Sequence, residues 1–257
     1  MKSTPLLILL ALVCVTPLHA APLAPDADLD TVLDALHKRG EGLKDFSADV
    51  KLTTSSDQDG SGTEQAGTVV YQNRENATAR VRVSFATSTT INDAGKAGTT
   101  VKKPLDYMLQ DGWLTDRDYT KKLEVRRQVL RPGQQMNLLK LGEGPFPLPI
   151  GQPKEEVKKQ FDVTKPAASA DDPKNTIHLV LTPKPGTQFA KRIKTLHVYV
   201  DRDSHFPTRI EANEKSQSTR STELTNLKIN AGVADADFAL EDISKQTGWN
   251  RSEEPFD

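Results

Sequence analysis

Histidine is the side chain of this sequence that most readily binds a metal or transfers a proton near neutral pH. Beyond residue 20 the chain has four: His37, His178, His197 and His205. None is spaced as HxxxH, HxH or HxxE, so no metal-ligand pattern is recognisable. His178 and His197 fall in alternating segments, on the opposite parity to the apolar positions. We expect them on the less apolar faces of two strands, with a ligand or base role as the alternative.

Carboxylates beside aromatic rings form the second group that could do chemistry. Asp111, Asp116 and Asp118 flank Trp113 and Tyr119, and a pair of carboxylates in a cleft can hydrolyse a glycosidic bond. The Asp-Gly pair that begins at Asp111 is also an ordinary turn sequence. No GxSxG, phosphate-loop or GxGxxG motif is present. We therefore predict no catalytic residue, no metal and no cofactor, and keep a secreted hydrolase as an alternative.

A run of basic residues could meet an acidic partner or lipid headgroups, although acids at positions 116, 118 and 124 dilute it and a solvated face is the simpler interpretation. Its members are Arg117, Lys121, Lys122, Arg126, Arg127 and Arg131. The formal net charge of −1 gives no support to nucleic-acid binding.

The first twenty residues have the organisation of a secretory signal peptide. Lys2 precedes an apolar run over residues 6–15, and small residues follow at Ala20 and Ala21. The single cysteine, Cys14, lies inside the run and does not follow a small residue as a lipidation site requires. We expect residues 1–20 to be removed, leaving residues 21–257 as a soluble, exported, monomeric single domain without disulfides or a membrane span.

Elsewhere the pattern is dominated by strands. A helix is predicted from about residue 29 to Gly40, and period-two alternation predicts strands at residues 46–52, 68–71, 81–85, 105–109 and 123–129, with another around Trp113. Residues 55–67 and 86–100 are predicted as polar loops, the second mobile or a lid. After a short helix near residues 136–141 and a second helix starting at Pro153, further strands are expected at residues 177–181, 193–200, 206–212 and 222–229. A polar tail begins at about residue 239.

The order of these segments resembles the periplasmic outer-membrane lipoprotein carrier family (LolA-like). The family has an amphipathic helix followed by a strand of pattern sFxaxf, similar to residues 45–50. Its glycine-to-arginine strand resembles residues 67–74, with Arg74-Glu75 in place of the family's Arg-Pro. An aspartate-glycine turn before an aromatic strand resembles residues 107–113. The strands of the last third are similar to residues 177–183, 193–201, 206–211, 222–230 and 237–238.

The resemblance implies an open, strongly curved antiparallel half-barrel, mainly β with α, with helices covering its concave face. It also implies a periplasmic carrier or chaperone that binds acyl chains of lipoproteins, or lipids, in an apolar cavity for transfer to the outer membrane. Its partners would then include an inner-membrane exporter and an outer-membrane acceptor. A sensor or adaptor of the same fold, responding to envelope lipid or protein signals, is the other interpretation, because fold does not fix cargo.

Strand parity then predicts the cavity lining, with ordinary core as the alternative. These residues are Phe46, Ala48, Val50, Val81, Val83, Phe85, Leu196, Val198 and Val200. The proline-rich stretch 144–153 is predicted as a rigid cavity rim or else a stiff connector, with Phe146, Leu148 and Ile150 as its apolar side chains. Arg74 or Arg80 is assigned a lid-latching role.

Overall fold

The computed structural model describes residues 21–74, 77–131, 134 and 150–256. Helix α1 (Leu29–Glu41) begins at Asp28, whose side chain accepts a 2.8 Å hydrogen bond from the Thr31 amide. Helix α2 (Lys154–Gln160) follows Pro153, where a missing amide hydrogen costs nothing. Among the described ranges, no helix is long and apolar enough to pass through a bilayer.

Twelve strands of the described chain form one sheet that is open and strongly curved. They are β1 (Asp45–Ser56), β2 (Gly62–Arg74), β3 (Ala77–Ile91), β4 (Ala97–Gln110), β5 (Trp113–Asp118), β6 (Leu123–Gln128), β7 (Phe161–Thr164), β8 (Thr176–Pro183), β9 (Ile193–Asp201), β10 (Pro207–Glu214), β11 (Ser218–Ile229) and β12 (Asn250–Glu254). The order across the sheet is β12-β6-β5-β4-β3-β2-β1-β11-β10-β9-β8-β7. Pairing is antiparallel except between β12 and β6. The predicted fold class is confirmed.

The apolar residues of the strands lie on one face of the sheet, together with the buried side of α1. Val32, Leu33 and Leu36 of α1 belong to the same buried cluster as the strand residues. Phe46 of β1 packs against the ring of Phe206 with 5.1 Å between centroids. A sheet with one buried face and helices over it explains the period-two pattern of the sequence.

Two predicted loops are wrong in extent. Residues 86–100 continue β3 and β4 and leave only a short turn at residues 92–96, while residues 55–67 mostly extend β1 and β2. These strand extensions are rich in threonine and, apart from the buried Ser88, are exposed or half-buried on both faces, so they lack the apolar-polar alternation that marks a half-buried strand. Threonine nevertheless favours the extended backbone, and Thr89 and Thr100 join their hydroxyls across the pair at 2.7 Å.

The chain beyond residue 239 is not a free polar tail. It crosses the outer face of β3 to β6 and then forms β12 at the sheet edge. The predicted signal peptide, the short helix at residues 136–141 and most of the proline-rich stretch lie outside the described residues.

Candidate functional site

The predicted cavity-lining residues share the inner face of the sheet, as parity requires. Val81 of β3 pairs with Tyr71 of β2, which pairs with Phe46 of β1. Two positions along β3, Val83 pairs with Val69, which pairs with Ala48. Every described member, Ile150 included, is at most 6% exposed and belongs to one apolar cluster with α1. In this arrangement they are core, so a lining role requires α1 to move and stays a prediction. Phe146 and Leu148 fall outside the described residues.

A groove of about 1200 Å³ lies beside this core, between α1 and the strand pair β10–β11. Its apolar wall consists of Leu23, Ala35, Leu224, Leu227 and Ile229. Its polar rim comprises Thr31, Asp34, Lys38, Arg39, Asp201, Asp203, Ser204, His205, Thr208, Thr225, Asn226 and Asn230. Polar lining residues outnumber the apolar ones, so the groove offers contacts to both the apolar and the polar part of an amphipathic molecule.

A β-bulge in β11 shapes this groove. Ser47 pairs with Lys228 and Asp49 with Thr225, so two residues of β11 oppose the single residue between them on β1. Asn226 takes a positive φ of 52° there and donates a 2.6 Å hydrogen bond to Asp49. Bulges bend the strand that carries them. Because of this bulge, Leu224 and Leu227, which are three positions apart, both line the groove.

One end of the groove is closed by Asn230, which follows β11 with a φ of 53°. Its side-chain oxygen accepts a hydrogen bond from the Lys44 amide at 2.8 Å, and its side-chain nitrogen donates to the Gly42 carbonyl at 2.7 Å. The end of β11 is thereby tied to the turn between α1 and β1. This end of the groove has a fixed backbone geometry.

The other side of the groove is bounded by the turn between β9 and β10. Arg39 of α1 donates to the Ser204 carbonyl at 2.6 Å, and burial lowers the pKa of its guanidinium. Asp201 accepts hydrogen bonds from the amide and the hydroxyl of Ser204 at 2.8 and 2.7 Å. Arg202 donates to the Leu23 carbonyl at 2.7 Å and so holds the N-terminal segment against the same turn.

Helix α1 is also clamped on the side that faces α2. Lys154 lies 2.9 Å from Asp34, and Lys158 contacts Asp30. The Gly151 amide donates to the Leu36 carbonyl at 3.2 Å. Because α1 is bound to α2 on one side and to the β9–β10 turn on the other, its position sets the width of the groove.

Arg74 and Arg80 lie away from the groove, on the outer face and its edge. Arg74 forms a 2.7 Å ion pair with Asp111 in the β4–β5 turn. Arg80 donates to Gln72 at 2.9 Å, contacts Asp235 and stacks 4.0 Å over the ring of Phe238. The structure therefore gives both arginines partners in a turn or in the C-terminal segment.

The acid-aromatic group at residues 111–119 does not converge on one site. Trp113 and Asp116 alternate along β5 and point to opposite faces of the sheet, with Arg126 stacked 5.0 Å over the Trp113 ring. The Arg74 hydrogen bond lowers the pKa of Asp111, while burial raises the pKa of Asp116. Much of the predicted basic run is paired within the chain, through Arg117–Glu124, Lys121–Asp118, Arg126–Glu253 and Arg127–Glu254.

His178 and His197 do meet, on the outer face of β8 and β9. Nε2 of His178 lies 2.9 Å from Nδ1 of His197, a hydrogen-bond distance at which one ring nitrogen donates to the other. Burial lowers the pKa of His178, and Asp172 lies 3.6 Å from its Nδ1. Across the ranges that the structure describes, no three His, Cys, Asp or Glu side chains are grouped to hold a metal.

Comparison with known proteins gives similarity at the level of solved structures. No family model and no curated sequence matches the chain. An uncharacterised conserved protein from Thermus thermophilus matches at 12% identity and a TM-score of 0.47, covering 86% of this chain and 98% of that one. MucB in the Pseudomonas aeruginosa MucA/MucB complex structure matches at 12% and 0.44, covering 84% and 62%. A LolA superfamily protein from Nitrosomonas europaea matches at 10% and 0.34, covering 82% and 96%.

At 10–12% identity and TM-scores below 0.5, these similarities do not establish a family, a ligand or a partner for this chain.

Proposed function

We propose that this protein is a non-catalytic carrier of the periplasm that binds acyl chains of lipoproteins, or lipids, in the groove between α1 and β11. The supporting observation is the groove of about 1200 Å³, with a wall of leucine, isoleucine and alanine and a rim of polar side chains. An acyl chain would lie along the wall while its polar head stays at the rim, in water.

The expected binding energy suits a carrier. Burying each methylene is worth about 0.8 kcal/mol, so ten buried methylenes contribute about 8 kcal/mol. Ordering the ligand and losing its free motion cost about 4 kcal/mol or more, which leaves a moderate net affinity. A carrier needs such an affinity because it must release its cargo to an acceptor at the outer membrane.

The apolar core beside the groove extends the proposal. If α1 moves away from the sheet, the side chains of Val50, Val198 and Val200 become available to a longer chain. The ion pairs of Lys154 and Lys158 with α1 are half-exposed, and such pairs are individually worth only about 0–1 kcal/mol. These two ion pairs would therefore add little resistance to movement of α1.

The proposal is tested with a groove-filling substitution in the chain from residue 21. Leu227→Trp places an indole in the groove, whereas Val180→Trp adds the same ring to a half-buried position on the outer face of β8. We expect Leu227→Trp to weaken binding of a fluorescent C16 fatty acid at least tenfold and Val180→Trp to leave it unchanged. Both variants must keep the wild-type circular dichroism spectrum.

Equal binding by the two variants would contradict the groove as the acyl site. Absence of binding by the wild type to fatty acid, lysophospholipid and acylated peptide would contradict the carrier function itself and favour a sensor or adaptor. Hydrolysis of an ester probe by the wild type would instead favour an enzyme.

A further inference from the structure

The C-terminal strand β12 occupies the edge of the sheet in an unusual way. It runs parallel to β6, with Asn250 opposite Leu123 and Glu254 opposite Arg127, whereas the other described strand pairs are antiparallel. All of its residues are exposed and none is apolar. The strand is therefore held by backbone hydrogen bonds and by charge, without burial of a hydrophobic side chain.

The charges of the two strands match position by position. Arg251 donates to the buried Glu124 at 3.0 Å. Glu253 contacts Arg126, and Glu254 accepts from Arg127 at 2.7 Å. These three ion pairs favour, opposite β6, a strand with a basic residue followed by acidic residues two and three positions later. The edge of β6 is therefore selective for the charge order of the strand that pairs with it.

The segment that precedes β12 is attached much more firmly. Phe238 and Ile243 are each 3% exposed, and Arg80 stacks over the Phe238 ring at 4.0 Å. Arg82 donates to the Ala239 carbonyl at 2.7 Å, and Arg117 donates to the Glu241 carbonyl at 2.6 Å. The chain can thus release β12 from β6 while residues 235–243 stay anchored on the outer face.

A small cavity of about 320 Å³ lies beside the edge, on the side to which Arg251 points. Met108, Trp113 and Leu240 supply its apolar walls, and Glu124 supplies a carboxylate. Arg251 is itself one of the residues that line this cavity, and its charge lies on Glu124. Recognition of a basic residue at this position therefore rests on Glu124.

We propose that the edge of β6 that β12 occupies is a docking site for an extended segment of a partner protein, and that β12 is its built-in competitor. The segment adds a parallel strand to the sheet and carries a basic residue followed at the second and third positions by acidic residues. Glu124, Arg126 and Arg127 read that pattern. A tethered competitor has a high effective concentration, so the partner must displace it to bind.

The full chain offers a way to open the edge without truncation. Glu253→Lys with Glu254→Lys sets lysines against Arg126 and Arg127, which repels β12 from β6. Glu155→Lys with Glu156→Lys makes the same change in charge on exposed positions of α2 and serves as the control. The probes are fluorescein-labelled peptides: WNRSEEPF, an unrelated threonine-valine peptide with the Arg-x-Glu-Glu spacing, and its charge-swapped form with Glu-x-Arg-Arg.

Fluorescence anisotropy should show that the opened variant binds both Arg-x-Glu-Glu peptides at least tenfold more tightly than the wild type or the α2 control. The charge-swapped peptide should bind at least tenfold more weakly than its parent. Adding Arg126→Glu and Arg127→Glu to the opened variant sets the introduced lysines at positions 253 and 254 against acids, so β12 should pair with β6 again and binding of both Arg-x-Glu-Glu peptides should fall at least tenfold. A general increase in stickiness cannot produce that loss.

The proposal is overturned if the opened variant, with wild-type circular dichroism, binds neither Arg-x-Glu-Glu peptide, or binds the parent and swapped peptides equally. It is also overturned if sedimentation shows that the opened variant forms dimers and these exclude the peptides, because the edge would then accept a second copy of this chain.

Discussion

The contact between α1 and residues 150–151 leads us to expect the opposite of the usual rule that alanine stabilises a helix relative to glycine. Gly40 lies in the last turn of α1, and a Cβ atom added there would be 2.2 Å from Gly151 Cα and 2.9 Å from Ile150 Cγ2. Gly151 has little freedom to retreat, because its φ is 76° and its amide is bonded to the Leu36 carbonyl. Gly40→Ala must therefore push two backbone segments apart.

The size of the effect follows from three terms. Alanine gains up to about 1 kcal/mol over glycine in a helix. Overpacking against backbone costs about 1–3 kcal/mol, and loss of the Gly151 hydrogen bond adds about 0.5–1.5 kcal/mol. We expect Gly40→Ala to lower the free energy of unfolding by about 2 kcal/mol, with a fall in Tm of roughly 2–4 °C per kcal/mol.

Gly42→Ala is the matched control, two positions along the chain. Gly42 has a φ of −91°, and the nearest atom to an added Cβ is the Lys38 carbonyl oxygen at 3.9 Å. Urea denaturation followed by circular dichroism should place this variant within about 0.5 kcal/mol of the wild type. A Gly40→Ala variant as stable as the wild type, or more stable, would refute the close packing of α1 on residues 150–151.

Three further predictions concern the outer face. Burial opposes ionisation of Asp106, but hydrogen bonds from Ser84, Arg82 and Tyr119 outweigh it and hold its pKa below 3.8. The stability that the ionised carboxylate supplies is present above that pH and lost as pH falls through the lowered pKa, so Asp106→Asn should flatten acid denaturation curves below about pH 4. Phe238→Ala should cost about 3 kcal/mol in urea denaturation, because it empties a buried ring site; a loss under about 1 kcal/mol would show that the C-terminal segment packs loosely. Arg117→Met should cost about 1.5–3 kcal/mol, because the buried Glu124 loses one of its two charged partners and keeps only Arg251. Arg117→Met with Glu124→Leu should recover most of this loss, and a double variant as unstable as the single one would contradict the prediction.

The sequence allows the inner face of the sheet to be predicted well where that face is buried. Val81, Val83 and Phe85 alternate with polar residues because one side of β3 meets the core and the other meets water. The same pattern places the end of this strand too early, at residue 86, because beyond it the residues are polar on both sides of the strand and the apolar-polar alternation disappears. Burial, rather than strand formation itself, is what the period-two pattern reports.

The groove cannot be predicted from the period-two pattern of the sequence because it depends on a bulge in β11. Leu224, Leu227 and Ile229 line it together only because Asn226 inserts an extra residue into β11. The spacing of three positions between Leu224 and Leu227 was the available signal, since a regular strand would place them on opposite faces. β12 had no comparable signal, because its residues contact β6 through charge and backbone alone.

The measurement that most directly tests the acyl-binding role is native mass spectrometry of the protein released from its own cell envelope, without detergent. We expect a one-to-one complex with an acylated molecule, which Leu227→Trp removes and Val180→Trp retains. Ligand-free protein in all three samples, together with no displacement of the C16 probe by envelope lipids, would contradict the acyl-binding role.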